Sequence, residues 1–274
     1  MTLCGAFVVI SGLTTTVLAG QVGASEAAAI RVPTAVLSYQ EGAAAAPTIP
    51  ADPVDFWHGW KRAADVGVNG AEGNSENNSF RLGFTAERKA SDMETKTGIN
   101  YTYASTGGEK STSRGEAFAR NDWLFKDSPW GLFAQGKLEY DEFQAWDWRA
   151  SFAVGPSYTF IKNDRTLLRG RLGLGGSRTW GDPDEDFRFE AMAGLDVEHK
   201  ITERQKVYAS VEYYPDLSDF PDYRAEAKAG WELLVDPESK LFLKVGLADR
   251  YDSNPGDGKK KNDFEYFATL SWVF

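Results

Sequence analysis

The chain has 274 residues, 30 Lys+Arg against 40 Asp+Glu, a formal net charge of −10, 14% aromatic residues and 27 Gly. No apolar run of about 18 residues exists, which excludes a helical membrane protein. The acidic balance argues against duplex nucleic-acid binding, which needs a basic face to displace counterions, and the aromatic content argues against simple disorder. A polar chain, of mean hydropathy −0.42, that is nonetheless rich in aromatic residues and glycine remains to be explained.

Residues 4–19 (CGAFVVISGLTTTVLA) form an apolar stretch of secretory length, followed by small residues. They read as the core of a signal peptide over 1–24, cleaved after Val17-Leu18-Ala19 or Val22-Gly23-Ala24. The lack of Lys or Arg before the run departs from that pattern. Cys4, the single cysteine, would leave with this segment, as suits an exported protein without a disulfide framework. Residues 25–55, rich in Ala and Pro (EGAAAAPTIPADP), carry no sustained periodicity and read as a flexible periplasmic linker.

From Phe56 onward, period-two alternation takes over, the signature of β-strands. It predicts about twelve strands, at 60–71, 79–90, 94–104, 113–125, 130–142, 147–161, 165–178, 186–200, 205–214, 223–235, 240–251 and 263–274. Tilted transmembrane strands need about 9–11 residues, and these are long enough. Tight turns such as Ser91-Asp92 and Lys162-Asn163-Asp164 alternate with longer connections: EGNSENNS, STGGEKSTS, DEFQAW, GDPDED, PDLSDFPD and DSNPGDGKKKN. Short turns at one end and long loops at the other are the arrangement of an outer-membrane barrel.

The two faces of each strand differ. In the tenth, Ala225, Ala227, Ala229, Trp231 and Leu233 interleave with Arg224, Glu226, Lys228, Gly230 and Glu232. A soluble barrel would bury the apolar set; a membrane barrel turns it to lipid and holds the charges in the lumen. The aromatics discriminate, because on the apolar face they gather at the strand ends. One end has Trp60, Trp123, Trp130, Tyr158, Trp231 and Trp272; the other has Phe80, Tyr101, Tyr103, Tyr140, Trp148, Trp180, Phe187, Tyr213, Tyr223 and Phe264. Two such girdles suit membrane interfaces. Arg62 and Asn121 break the pattern on the lipid side, and Phe118, Phe133, Leu167 and Phe242 break it on the lumen side. The last strand carries Ala268, Leu270, Trp272 and a terminal Phe274 on the lipid face, which resembles the assembly signal of bacterial outer-membrane barrels.

Several stretches together carry a family resemblance. They are Trp60, Gly67-Val68-Asn69-Gly70 with EGNSENNS, Arg81-Leu82-Gly83-Phe84 with Glu87-Arg88, Tyr158-Thr159-Phe160, Asp164-Arg165-Thr166 and, above all, RYDSNPGDGKKKND before the last strand. Over about residues 56–274 the chain resembles the YdiY-like family of salt-induced outer-membrane proteins (domain of unknown function 481). The resemblance implies an outer-membrane β-barrel and no chemistry.

Little chemistry is legible in the residues. His58 and His199 both fall on the short-turn side, whereas barrel hydrolases place a His base by a nucleophile, usually at the outer rim. No His/Cys cluster with metal-ligand spacing appears, no cofactor is expected, and Gly173, Gly175 and Gly176 lie inside a strand rather than in a phosphate loop. The candidate site is the set of lumen charges. The cations are Arg81, Lys96, Arg114, Arg120, Lys137, Arg149, Arg169, Arg171, Arg188, Arg224, Lys228 and Lys244. The anions are Asp65, Glu87, Glu116, Glu139, Glu190, Asp196, Glu198, Glu212, Glu226, Glu232 and Glu265. A selective pore usually shows a ring of one sign; a balanced mixture can zip together across neighbouring strands and fill the lumen. Three readings stay open: a salt-bridged interior, a narrow weakly selective channel, and a small-molecule site. Acidic loops (Asp182, Asp184, Glu185, Asp186; Asp216, Asp219, Asp222) could bridge divalent cations to lipopolysaccharide phosphates, which Lys259, Lys260 and Lys261 could also meet.

The expectation is therefore an all-β, antiparallel transmembrane β-barrel over 56–274 in the bacterial outer membrane. Its partners would be outer-membrane lipids and lipopolysaccharide, with the assembly machinery engaged through Phe274. Its role would be non-enzymatic: a passive channel or a stress-related structural barrel. The alternatives are a soluble secreted binding barrel and a membrane-embedded enzyme.

Overall fold

A strand whose residues alternate between apolar and polar has one face for each environment, and closing a sheet of such strands leaves no unpaired edge. The computed structural model describes residues 57–71, 77–181, 187–256 and 258–274. The signal peptide expected over 1–24, the linker over 25–55 and the acidic stretch 182–186 lie outside the described residues.

Twelve strands follow in chain order: β1 (Trp60–Ala71), β2 (Asn77–Lys89), β3 (Met93–Thr106), β4 (Glu109–Leu124), β5 (Trp130–Asp141), β6 (Trp148–Lys162), β7 (Thr166–Trp180), β8 (Phe187–Thr202), β9 (Gln205–Pro215), β10 (Tyr223–Asp236), β11 (Leu241–Asp252) and β12 (Asn262–Val273). Each pairs antiparallel with its chain neighbours, and β1 pairs with β12 to close the barrel. About twelve residues at a rise of about 3.3 Å, tilted by roughly 40°, cover about 30 Å, enough for the apolar band of a membrane barrel.

The β1–β12 seam is short. Its ladder runs from Ala63 opposite Val273 to Val66 opposite Leu270. Beyond the last strand residue, the backbones of Arg62 and Phe274 exchange hydrogen bonds of 3.1 and 2.9 Å. The Arg62 guanidinium lies 4.8 Å from the Phe274 ring and 5.4 Å from that of Trp57. Arg62, at odds with its apolar face in the sequence, is thus held between two aromatic rings. Asn121, the other exception, accepts a hydrogen bond from the Thr95 hydroxyl at 2.5 Å.

The hairpin β3–β4 departs from expectation. Residues 105–113 read as a loop because they are polar on both faces, yet β3 and β4 run on to a turn of Gly107 and Gly108 alone. Both glycines have positive φ, +62° and +80°, as a two-residue hairpin of the mirror-image type requires. Ladder hydrogen bonds hold a strand together in water without an apolar face, so the Ser and Thr residues here extend the hairpin rather than end it.

The two faces sort as the alternation predicts. In β12, Phe264, Tyr266, Leu270 and Trp272 are exposed on the outer wall, while Thr269 and Ser271 are buried inward. Mid-strand Phe152, Val154, Leu172 and Leu174 are each more than half exposed outward. Toward the ends, aromatic pairs such as Trp130–Tyr158, Tyr140–Trp148 and Phe80–Tyr103 have ring centroids 4.8, 5.1 and 5.2 Å apart. An apolar outer wall around a charged interior is the transmembrane form of the barrel.

Candidate functional site

The pleat directs every second residue inward, and the register decides which charges then face each other. Glu116 of β4 stands directly opposite Glu139 of β5, and Glu212 of β9 opposite Glu226 of β10. Like charges so placed repel. The repulsion is resolved across the lumen rather than along the wall. Lys137 of β5 ion-pairs with Glu226 of β10, and Lys228 of β10 lies 3.4 Å from Glu116 of β4. Zipping between adjacent strands occurs elsewhere, as in Arg171–Asp196 and Lys206–Glu232, but these two lysines reach from one wall to the opposite one.

The half of the lumen nearer the long loops is filled by ion pairs too, some across the lumen and some between next-but-one strands. Arg81 and Arg114 both pair with Glu265, Arg149 with Asp252 at 3.1 Å, and Arg224 with Glu190 at 2.8 Å. A kernel of Phe133, Ala153, Met192 and Tyr214 is buried among them. The Tyr214 hydroxyl donates to Glu212 at 2.7 Å and accepts from Gln135 at 2.9 Å. Phe133, unexpected at a lumen position, packs where a side chain on Gly173 would stand, since a Cβ there would lie 2.8 Å from its ring. Above this layer Gln144 donates to Asp263 at 2.6 Å, and the Lys259 amine donates to the Phe143 carbonyl at 2.7 Å.

Nearer the short turns, one wall carries a network of three arginines and three acids. Arg171 donates twice to Asp122, at 2.9 and 3.0 Å, and also bonds Asp196. Arg169 reaches Glu94 at 2.9 Å, and Arg120 reaches Asp196 at 3.3 Å. On the other wall Lys244 pairs with Asp65 at 2.8 Å, and Lys206 with Glu232 at 3.2 Å and Glu198 at 3.7 Å. Between the walls lies a cavity of about 410 Å³ whose lining runs from Lys61, Lys89 and Val273 at the short-turn end up to Gln135, Tyr214 and Glu226. The charged layer formed by Arg114, Arg149, Arg224 and Glu190 lies beyond that lining.

Most of the charges expected in the lumen belong to these two layers. Lys96 and Glu87 line the cavity, with Glu87 taken by Lys89 at 3.1 Å. Arg188 sits opposite Ser177 at the long-loop end of β8 and joins none of the ion pairs among the described residues. Sequence reasoning missed Glu94, Asp122, Asp141, Lys206, Arg250 and Asp252. Each lies an even number of positions from a charge already identified, so strand parity alone would have found them.

The loops add little chemistry. The Asp216 carboxylate accepts from the backbone of Ser218 and Asp219 at 2.7 and 3.2 Å, and Asp222 from the Asn254 amide at 3.0 Å. Among the described residues no group of three His, Cys, Asp or Glu side chains is arranged to hold a metal ion. Glu142 accepts hydrogen bonds from the Lys110 ammonium at 2.8 Å, which holds its carboxyl below the usual carboxylate range. His199 lies 2.9 Å from the Thr166 hydroxyl at the exposed short-turn end.

The family described as "Protein of unknown function, DUF481" matches residues 64–274. No curated protein matches the chain. Among solved structures the chain is similar to the KdgM porin, at 10% identity and a TM-score of 0.43 over 78% of this chain and 99% of that one. It is similar to the NanC porin at 9% identity and 0.46, over 78% and 99%. It is also similar to the COG4313 outer membrane channel from Pseudomonas putida F1 at 10% identity and 0.45, over 78% and 94%. With TM-scores below 0.5, these likenesses carry no argument about what this chain does.

Proposed function

This chain belongs to the DUF481 family of proteins of unknown function over residues 64–274, and we propose on that premise that it is a non-enzymatic barrel of the bacterial outer membrane whose lumen is shut at its long-loop half. The observation that carries the reading is the set of ion pairs joining opposite walls: Lys137–Glu226, Arg114–Glu265, Arg149–Asp252 and Lys228–Glu116. An open passive channel needs a continuous water path, and these pairs with the kernel beneath them occupy it. The short turns face the periplasm, so the cavity below the plug opens to that side only. The apolar outer wall and the even strand number support the outer-membrane placement over a soluble barrel.

The test has two arms. On fractionation the protein should remain with the membrane until detergent is added and should show heat-shifted gel mobility; recovery in the aqueous fraction would overturn the membrane reading. Vesicles carrying the refolded barrel should not swell in an isosmotic pentose solution. Swelling at a porin-like rate would overturn the shut lumen.

A further inference from the structure

Three of the four apolar residues that break the alternation on the lumen side share one place. Phe118, Leu167 and Phe242 all line the cavity below the plug. Two further rings, of Tyr208 and Phe267, line it as well. Three of these rings lie against glycines of neighbouring strands. A Cβ on Gly98 would meet Phe118 at 2.9 Å, one on Gly230 would meet Tyr208 at 2.5 Å, and one on Gly246 would meet Phe267 at 2.5 Å. Laying a ring on a glycine widens the cavity and gives it aromatic walls, which a mere salt-bridged filling would not need.

The charges around these walls are nearly all satisfied. Ten lining residues are acidic. Nine of them pair with a lysine or arginine within 4 Å, and the tenth, Glu212, accepts the Tyr214 hydroxyl. Among the lining cations the exceptions are Lys61, at the exposed mouth, and Lys96, inside the barrel. Lys96 has no ion-pair partner among the described residues. Its cross-strand neighbours are Glu87, already held by Lys89, and Arg120, a second cation directly opposite it. Its side chain is nevertheless open to the cavity. The nearby carboxylates Glu87, Glu198 and Asp196 are each engaged by another cation, so the Lys96 ammonium, beside a guanidinium and facing a half-apolar space, has no acid at ion-pair distance among the described residues and can take an anion.

We propose that this cavity is a binding site, open to the short-turn side, for a small organic monoanion with an aromatic or apolar body. Lys96 takes its carboxylate, and the rings of Phe118 and Tyr208 take its body, while the Arg81 guanidinium covers the Phe267 ring at 4.4 Å. The volume of about 410 Å³ falls in the range of small-molecule pockets, about 300–1,000 Å³. A cationic ligand finds no free carboxylate here, because the acids are already bonded. The site rests on the shut lumen proposed above, since an open channel would have no floor to hold a ligand.

The test uses cinnamate, with cinnamylamine and cinnamyl alcohol as its cationic and neutral counterparts. Each is titrated calorimetrically into the barrel in lipid nanodiscs, against empty nanodiscs. Cinnamate should bind saturably. Its affinity should fall about tenfold or more in Lys96→Gln, as loss of a charge-assisted hydrogen bond predicts. It should be kept in Lys96→Arg and in Lys61→Gln, and the amine should bind no better than to lipid alone. Heat-shifted mobility shows that each variant is folded. Absence of saturable binding, unchanged binding in Lys96→Gln, or equal binding of the amine would overturn the site. A barrel that swells no vesicles yet ignores cinnamate would remove this site and leave the shut lumen standing, whereas a freely permeable barrel would remove the shut lumen itself.

Discussion

Asp122 is the carboxylate on which the lower network turns. It is 3% exposed, and it accepts from the Nε and Nη2 donors of Arg171, with Arg169 and Arg120 each 3.6 Å away. Arg169 and Arg171 are themselves 2% and 4% exposed. Asp122→Ala would leave three guanidiniums crowded around Asp196 and Glu94. Breaking a buried pair by removing one partner costs about 3–5 kcal/mol. Cavity water reaches Asp196, whose side chain is 21% exposed, so the lower end, about 3 kcal/mol, is expected. The paired change Asp122→Leu with Arg171→Met removes both charges, and the desolvation cost of the pair disappears with its attraction. It should therefore cost less than the sum of the single changes by about 2 kcal/mol. The assay is urea unfolding of the barrel in lipid vesicles, read by tryptophan fluorescence and checked by gel mobility. A cost below about 1 kcal/mol for Asp122→Ala, the value of an exposed ion pair, would refute the argument.

Further expectations concern the wall and its seam. Gly175→Val should abolish the heat-shifted form, because a Cβ there would stand 1.9 Å from the Phe152 carbonyl oxygen and 2.8 Å from the Ala153 Cα; a folded barrel would mean that β6 and β7 can part without loss. Deleting Phe274 removes its two backbone hydrogen bonds to Arg62 and the ring beneath that guanidinium. Urea unfolding should then show a loss of about 1–3 kcal/mol, and an unchanged midpoint would contradict the closure described here. Amide exchange should be fastest along β1 and β12, since the ladder between them covers four residue pairs whereas β1 and β2 pair along the whole of β1; equal protection around the barrel would contradict this.

Period two made the walls legible. Once Arg120 or Glu139 is placed inside, every second residue must follow, and Asp122 and Asp141 were within reach of that rule although they were not identified. Partner choice was not legible from single strands, because it depends on register. Only the register sets Glu116 against Glu139 and Glu212 against Glu226 and so drives Lys137 and Lys228 across the lumen. The β3–β4 hairpin is hidden for a related reason: Ser and Thr residues suit a loop in isolation, and only the ladder between the strands shows them paired as far as Thr106 opposite Glu109. Phe118, Leu167 and Phe242 looked like faults in the pattern, yet they gather around one cavity. A residue that breaks the alternation of a barrel strand marks a place where the lumen is not simply water.

The central claim is that side chains from opposite walls close the lumen. It is tested most directly by conductance of the purified barrel in a planar bilayer, alone and with Arg114→Ala, Lys137→Ala and Arg149→Ala combined. The wild-type chain should show no steady conductance, and the triple variant, which removes from Glu265, Glu226 and Asp252 the basic partner that reaches each from across the lumen, should show discrete, sustained steps. Sustained steps in the wild-type protein that the three substitutions leave unchanged would contradict it.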